Sequence, residues 1–494
     1  MKAVYLKNFR KGFATNSSST HSLIYKNKGD MFEDLNIFEL NYYDRFDRTI
    51  AATKAAKIKY IAADVFYNKK LFDLLCAIYP EMKEYEGLAT QQRNSEKYGE
   101  TFGMYTRGSL YFDSCDNLEA SLDYIKNIIE NDEIIIVGGS DEEDFVYDTT
   151  ENHVKLPEPD DVDVYGNRPQ GVVKNGNYWV GYGFHGKLRF STTKGECIPE
   201  YPELIDLRIT NKCEHGCNFC FMDSNMKEKH ADLQQLKTII HNLSTGYRAY
   251  YKKRIEFSIG GGNILLYPKL EELFKYLTEN GHIVNTTINA KDCEKIVNDE
   301  KFHRIFLDYV TAIGVSVSDE KDIDKVLLLK NAFENSKNFK QITIHLIPEL
   351  LGVEKTRDIM TKLKSFYSFL FLGYKTNGRG ASQKHIKFTD DELTRLFEDM
   401  YCISLDTTFA NTYYTWFKNN YEVEYTITLN EGEYSMYIDG VEGIAYKSSY
   451  QLDKPYSLVY TDYKEHGVKW FNPIEAFANI RKDNGFPVYD RNNS

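Results

Sequence analysis

The chain of 494 residues is longer than one hydrophobic core usually supports, so two or three domains are expected. Its 42% hydrophobic and 14% aromatic content is that of a globular protein, and no apolar run is long enough to span a bilayer, so no membrane partner is expected. The net charge of −12 argues against binding to duplex nucleic acid, which needs a basic surface.

The N-terminal part, residues 1–165, is predicted to be an α+β domain of unknown role. Its residues 12–22 form a small polar, Ser-rich run similar to N-terminal segments of many bacterial and phage proteins. A plain loop, a flexible tag, a processing site and a recognition arm are all open readings of this run. The acidic stretch 141–163 indicates a linker or exposed loop, and residues 174–190 predict a β-hairpin leading into the next domain.

Strand-like and helical patterns alternate from residue 204 to residue 376. The six predicted strands are 204–210, 254–259, 282–288, 310–317, 341–347 and 368–374. The five helices predicted between them are 231–243, 269–279, 291–302, 323–334 and 356–366. This alternation is typical of a parallel sheet, in which ligands collect at the carboxyl ends of the strands.

Three cysteines follow the first predicted strand at the spacing C-x3-C-x2-C. They are Cys213, Cys217 and Cys220, with Phe219 just before the last. Thiolates are ligands of iron–sulfur clusters, and a loop this short can wrap three of them around one cluster. Four irons on three thiolates leave one iron open to a small molecule. Because the chain has only eight cysteines and no secretory signal, a reducing cytoplasm is expected rather than a disulfide framework.

A glycine run follows the second predicted strand. It comprises Gly260, Gly261 and Gly262, followed by Asn263. Together, the cysteine motif and this run resemble the radical SAM superfamily, in which the second motif is usually Gly-Gly-Glu-Pro. Asn263 stands where that family usually has Glu, and Ile264 where it has Pro.

The resemblance implies a partial (β/α)6 barrel over residues 166–380. It also implies a [4Fe-4S] cluster on Cys213, Cys217 and Cys220, with S-adenosylmethionine (SAM) on the open iron. Reduction, by a flavodoxin or ferredoxin, would cleave SAM to a 5′-deoxyadenosyl radical that abstracts hydrogen from a substrate.

Further site residues are carried over from the resemblance. Phe219 would lie near the adenine of SAM, and the glycine run with Asn263 near its methionine amino group, where an amide oxygen can accept from an ammonium. Candidate contacts to the ribose and carboxylate of SAM are Thr287, Asn289, Ser316 and Ser318. The catalytic acid, base or hydrogen donor is not assigned, although four residues are chemically capable: Tyr374, His345, Cys293 and Arg379.

The C-terminal part, residues 381–494, is predicted to be a small α+β cap. Its segments 404–410, 433–440 and 470–481 follow an order similar to the SPASM or twitch extension of radical SAM enzymes. That extension uses cysteines to ligate auxiliary clusters, whereas this chain carries other residues at the corresponding positions: Thr407, Thr408, Ser435, Met436 and Ala445. Because Cys402 is the only cysteine here, the cap is predicted to hold no cluster. An unrelated α+β cap is the alternative.

Several functions compete. The leading one is a radical SAM enzyme acting on a peptide or protein, as SPASM-type enzymes most often do. Radical modification of a nucleoside, nucleotide or nucleic-acid base is an alternative, and a non-catalytic iron–sulfur sensor or binding module is another. The cysteines could instead hold zinc with His215, His230 or Cys293, although structural zinc usually uses C-x2-C pairs with a second distant pair, which this sequence lacks.

Overall fold

The structure is a computed structural model. It describes residues 2–11, 21–36, 40–42, 46–48, 50–65, 69–85, 118–137, 171–183, 186–244, 253–334, 341–366, 368–400, 402–460 and 470–490. The acidic stretch 141–163 and residues 12–20 of the Ser-rich run lie outside these segments, so both interpretations stay predictions. None of the helices within these segments is both long and apolar enough to cross a lipid bilayer.

Two sheets hold most of the described strands. In chain order the strands are β1 (Lys2–Lys11), β2 (His21–Tyr25), β3 (Leu40–Tyr42), β4 (Phe46–Arg48), β5 (Ile50–Ala51), β6 (Ile134–Val137), β7 (Gly171–Asn175), β8 (Tyr178–Gly183), β9 (Gly186–Ser191), β10 (Leu204–Thr210), β11 (Glu256–Gly261), β12 (Ile283–Asn289), β13 (Ala312–Ser316), β14 (Gln341–Leu346), β15 (Phe369–Phe371), β16 (Cys402–Asp406), β17 (Ser435–Asp439), β18 (Ile444–Tyr446), β19 (Tyr456–Ser457), β20 (Val459–Tyr460) and β21 (Trp470–Phe471). The α-helices are α1 (Lys28–Asn36), α2 (Lys54–Val65), α3 (Lys69–Ile78), α4 (Leu118–Glu130), α5 (Leu233–Ser244), α6 (Leu270–Glu279), α7 (Cys293–Asn298), α8 (Glu300–Tyr309), α9 (Ile323–Glu334), α10 (Pro348–Leu351), α11 (Val353–Lys362), α12 (Asp390–Leu396), α13 (Thr407–Thr412), α14 (Tyr414–Asn420) and α15 (Pro473–Asp483).

The larger sheet runs in the order β19-β18-β17-β10-β11-β12-β13-β14-β15-β16-β2. Its strands from β17 through β16 pair in parallel, which confirms the predicted parallel sheet and all six predicted strands, now β10 to β15. The strand β10 shows why the sheet forms. Its Ile205, Leu207 and Ile209 pack into the main hydrophobic core, while Asp206 and Arg208 alternate with them on the other face.

Residues 381–494 contribute to this sheet at both sides of the predicted strands. The strand β16 pairs with β15, and β17 pairs with β10. Two strands of this segment therefore extend the parallel run, one on each side of the predicted strands. The division of the chain into three domains stays a prediction.

The second sheet is antiparallel and has the order β5-β6-β1-β9-β8-β7. The hairpin predicted over 174–190 is found as β7, β8 and β9, and β9 pairs with the N-terminal strand β1. The predicted hairpin therefore belongs to the sheet of the N-terminal strands, while β2 crosses to the larger sheet and pairs with β16.

The prediction was wrong for one helix. The single helix expected over 291–302 is two helices, α7 and α8, separated at Asp299. Asp299 is extended, and its side chain accepts from the backbone N–H groups of Lys301 and Phe302, so it starts a new helix. The polar run 298–301 interrupts the apolar periodicity and marks this break in the sequence.

Candidate functional site

A cavity of about 390 Å³ lies at the carboxyl ends of the parallel strands. The structure brings to it all twelve residues that were predicted as cluster or cofactor contacts. They are Cys213, Cys217, Phe219, Cys220, Gly260, Gly261, Gly262, Asn263, Thr287, Asn289, Ser316 and Ser318. These residues come from four different strand ends, which places the cavity where ligands of parallel sheets usually bind. The role of each residue stays a prediction.

The cysteine loop is a compact turn above β10. The N–H of Cys220 donates to the carbonyl oxygen of Cys217 at 3.2 Å, and the N–H of Cys213 donates to that of Asn225 at 3.4 Å. Gly216 has a φ of +62°, which a glycine adopts without strain. All three thiols are half-buried and form no disulfide.

Burial shapes the acidity of these thiols. It raises the pKa of Cys213 and of Cys217, so both thiols stay protonated near neutral pH. A thiol becomes a strong metal ligand only when it loses its proton, and a bound cation provides that driving force. Three such thiols in one cavity fit a metal cluster by the chemistry of their donor atoms.

The glycine run packs directly against the segment that leads into the cysteine loop. The N–H of Gly262 donates to the carbonyl oxygen of Thr210 at 2.7 Å, and the N–H of Asn263 donates to that of Lys212 at 2.7 Å. A Cβ atom on Gly262 would lie 2.1 Å from the Lys212 oxygen. Glycine is therefore required here for the contact between two protein segments, whatever ligand lies beside them.

Asn263 is held in one orientation by its neighbours. Its Oδ1 accepts from the backbone N–H of Leu265 at 3.0 Å, which caps the short turn Ile264–Leu266. Its Nδ2 donates to Oδ1 of Asp292 and to Oε1 of Glu214, both at 3.1 Å. The oxygen that was predicted to accept from an ammonium is thus used by the backbone.

Sequence reasoning missed Asp292, which lines the cavity directly after β12. Its Oδ2 lies 2.8 Å from Nε2 of His215, and this hydrogen bond raises the pKa of His215. Among the residues that the structure describes, one group of three potential metal ligands lies within 4.8 Å, formed by Glu214, His215 and Asp292. An acidic residue just after a parallel strand was the signal that could have identified Asp292.

The four chemically capable residues have different positions. His345 and Tyr374 line the cavity, whereas Cys293 is buried in the helix-side core and Arg379 holds the cysteine loop from outside the cavity. Burial lowers the pKa of His345 to about 3, so this imidazole is neutral. The hydroxyl of Tyr374 donates to the carbonyl oxygen of Gly380 at 2.6 Å.

Lys375 also lines the cavity and was missed by the sequence analysis. Its Nζ lies 3.7 Å from Oδ2 of Asp406. The same atom lies 4.8 Å from the ring centroid of Phe221 and 4.9 Å from that of Tyr450. Burial lowers the pKa of Lys375. The preceding sequence offers no periodic signal for this lysine, because it lies in an irregular loop after β15.

The three residues that could be a fourth zinc ligand have different surroundings. His215 is bonded to Asp292, and Nδ1 of His230 lies 2.8 Å from the hydroxyl oxygen of Thr210. Cys293 is fully buried, and burial strongly raises the pKa of its thiol. The burial of Cys293 argues against it as a ligand, whereas each histidine uses only one ring nitrogen in these bonds, so the zinc alternative stays open.

The positions that correspond to auxiliary-cluster cysteines are filled by ordinary packing. The Thr407 hydroxyl donates to Glu431, which also accepts from the Tyr450 hydroxyl at 2.8 Å. Met436 and Ala445 belong to the main hydrophobic core. Whether this segment is a SPASM-like cap without a cluster stays a prediction.

The chain matches no protein-family model and no curated protein sequence. Its backbone is similar in part to SuiB from Streptococcus suis. A structure of SuiB bound to S-adenosylmethionine is 15% identical with a TM-score of 0.37, covering 60% of this chain and 67% of SuiB. A second SuiB structure is 16% identical with a TM-score of 0.38, covering 51% and 61%. SuiB bound to precursor peptide SuiA is 12% identical with a TM-score of 0.34, covering 76% and 73%. Similarity this low establishes no family for the chain.

Proposed function

We propose that this protein is a radical SAM enzyme that acts on a peptide or protein. The observation that carries the proposal is that three thiols within eight residues share one cavity with a glycine run from the next parallel strand. The cavity of about 390 Å³ lies in the size range of small-molecule sites.

The residues present fit the implied cofactors. Cys213, Cys217 and Cys220 would hold a [4Fe-4S] cluster, and the strand-end residues beside them would contact SAM: Thr287, Asn289, Ser316 and Ser318. When bound, these cofactors supply one-electron cleavage of SAM and a 5′-deoxyadenosyl radical that abstracts hydrogen from the substrate. The chain itself positions the reactants and excludes water. Water is excluded by apolar side chains that line the cavity, such as Ile347, Leu350 and Leu372.

The peptide or protein substrate is supported by the resemblance of residues 404–481 to the SPASM extension. In this chain that segment contacts the loop after β15, which contributes Lys375 to the cavity lining: the Asn377 side chain of this loop donates to the Tyr450 carbonyl oxygen at 3.1 Å. A partial (β/α)6 arrangement around the site, an electron donor such as flavodoxin or ferredoxin, and a cytoplasmic location are parts of the same proposal.

The test is anaerobic. The protein is reconstituted with iron and sulfide, SAM and dithionite are added, and 5′-deoxyadenosine is quantified by mass spectrometry. A variant with Cys213, Cys217 and Cys220 all changed to Ala is expected to bind no cluster and yield no product. Cys293→Ala is the matched control, because this cysteine is buried outside the cavity and should leave the iron content unchanged.

Two outcomes would count against the proposal. A wild-type protein that takes up zinc but no iron and sulfide would favour the zinc alternative. A wild-type protein with an intact cluster and turnover, but no mass change in any candidate peptide encoded beside its gene, would remove the peptide substrate. Salt-sensitive binding of RNA or DNA in a filter assay would then favour the nucleic-acid alternative.

A further inference from the structure

The cavity has an uneven distribution of charge. Among its described lining residues, Asp292 is the one carboxylate, and it lies beside the glycine run and the cysteine loop. The lining lysines, Lys355 and Lys375, belong to segments that follow β14 and β15. A ligand with a positive group is therefore attracted to the Asp292 side of this cavity.

Asp292 is set rigidly. Its side chain is only 8% exposed, and its two oxygens are bonded to His215 at 2.8 Å and to Asn263 at 3.1 Å. A carboxylate offers about four acceptor sites, so two further sites stay available after these bonds. His215 lies within the cysteine motif and Asn263 ends the glycine run, so both segments converge on this carboxylate.

Asn263 cannot take the same role in the observed orientation. Its oxygen caps the turn at Leu265, and its amide hydrogens point at Asp292 and Glu214. Reversing the amide would place its oxygen against two carboxylates and its hydrogens against the Leu265 N–H, which costs hydrogen bonds at each end. The acceptor at this side of the cavity is accordingly the carboxylate and not the amide.

We infer that Asp292 binds the ammonium group of SAM, with His215 and Asn263 as positioning residues that orient the carboxylate. The inference rests on the proposed function and names a residue that the comparison of motifs did not identify. An ammonium–carboxylate hydrogen bond inside a half-buried cavity is among the stronger polar contacts in proteins. The charge that residue 263 lacks is thus supplied by a residue from the next strand end.

The experiment measures binding and not turnover. Protein reconstituted with iron and sulfide, but not reduced, is titrated anaerobically with SAM and with an analogue in which hydrogen replaces the amino group. Asp292→Asn is expected to weaken SAM binding by about 10- to 100-fold and to leave binding of the analogue within about twofold. Glu271→Gln is the control, because Glu271 pairs with Arg304 at 3.1 Å and does not line the cavity, and it should change SAM binding by less than about twofold.

Each result has a defined meaning. Equal loss of affinity for SAM and for the analogue in Asp292→Asn would overturn the inference, because Asp292 would then only shape the cavity. If Asp292→Asn does not fold or does not hold iron, the wild-type protein and Asp292→Glu test the inference instead. The wild type must bind SAM about 10-fold or more tightly than the analogue, and the longer side chain of Asp292→Glu must reduce that preference. A wild-type protein with a cluster but no such preference overturns the inference alone, whereas one without a cluster overturns the proposed function as well.

Discussion

Arg379 clamps the cysteine loop through the carbonyl oxygen of Cys217. Its Nε donates to that oxygen at 2.9 Å, and its guanidinium also reaches the Ser224 carbonyl at 3.1 Å and Asp223 at 2.7 Å. The arrangement uses the planar fork of donors that arginine has and lysine lacks. The loop after β15 thereby fixes the loop after β10 from the other side of the cavity.

We expect Arg379→Lys to loosen the cysteine loop. An ammonium cannot reproduce these divergent hydrogen bonds, and because Arg379 is 29% exposed the loss is expected to be only about 1–2 kcal/mol of loop fixation. The measurement is the rate of thiol labelling of Cys217 in metal-free protein, which should rise several-fold, with a lower iron content after reconstitution. Arg395→Lys is the control, since its 3.2 Å pair with Glu354 is exposed and far less constrained. Equal labelling rates in both variants would show that Arg379 does not hold the loop.

Gly262→Ala should damage both stability and the cavity. Its Cβ would lie 2.1 Å from the Lys212 oxygen, so two backbone segments must separate, at a cost of about 3 kcal/mol or more. The thermal unfolding midpoint is expected to fall and the iron content to fall with it. Gly29→Ala, in helix α1, is the control because its Cβ would meet a side-chain oxygen, Oδ1 of Asn27 at 3.2 Å, and not a second backbone segment. That variant should melt at the same temperature as wild type or higher, because Ala favours a helix over Gly.

Glu203 should produce a pH-dependent contribution to stability at acid pH. It is fully buried and accepts from Arg189 and Lys187, both at 2.7 Å. Burial alone would raise the pKa of Glu203, but the two cations outweigh it and lower its pKa from 4.5 to about 2. Its stabilisation is therefore complete above about pH 4.5 and is lost as pH falls towards 2.

The measurement compares melting midpoints of wild type and Glu203→Gln between pH 7 and pH 3. The variant removes the carboxylate that Arg189 and Lys187 share and leaves Lys187 with Glu256 at 3.9 Å, which costs about 3–5 kcal/mol at neutral pH. The difference in the free energy of unfolding between wild type and Glu203→Gln should shrink by about 2 kcal/mol between pH 5 and pH 3, and the two melting midpoints should converge accordingly. Glu272→Gln removes an exposed partner of Lys237 and should show no such convergence. A gap independent of pH would contradict the assigned pKa.

His282 should make the stability of the fold depend on pH in a range closer to neutral. Burial lowers the pKa of His282 from 6.5 to about 3. Its Nδ1 accepts from the Ile255 N–H at 3.3 Å, and its Nε2 lies 2.6 Å from the Ser244 hydroxyl, so a second ring proton would face an N–H donor. The neutral ring is thus favoured by the fold, and its stabilisation is present above about pH 6.5 and lost as pH falls below it.

We expect that His282 lowers the free energy of unfolding of wild type by about 1.4 kcal/mol for each pH unit below pH 6.5. In His282→Gln the melting midpoint should start lower at pH 7.5 and depend less on pH down to pH 5. His241→Gln, on the exposed side of helix α5, provides the control and should follow wild type. Parallel pH profiles for wild type and His282→Gln would show that His282 takes up its proton without unfolding.

The strands and the cysteine loop could be predicted because their signals are local. Apolar runs such as those in β10 and β11 are buried wherever they pair, and three thiols within eight residues are close to one another in any compact fold. The break at Asp299 was a missed local signal, because the polar run 298–301 interrupts the apolar pattern there. The place of the hairpin 174–190 could not be predicted, since a hairpin pattern does not indicate which sheet the hairpin joins.

The sequence by itself determined the alternation of strands and helices, the thiol cluster and the end of the sheet at which a site would form. Only the tertiary structure decided which residues complete that site. Asp292 meets His215 across 77 positions of the chain, and Arg379 meets Cys217 across 162. Contacts of this kind depend on how several strands pair and on which loops meet above them. They follow from the burial of the whole sheet and leave no periodic trace in the sequence around either partner.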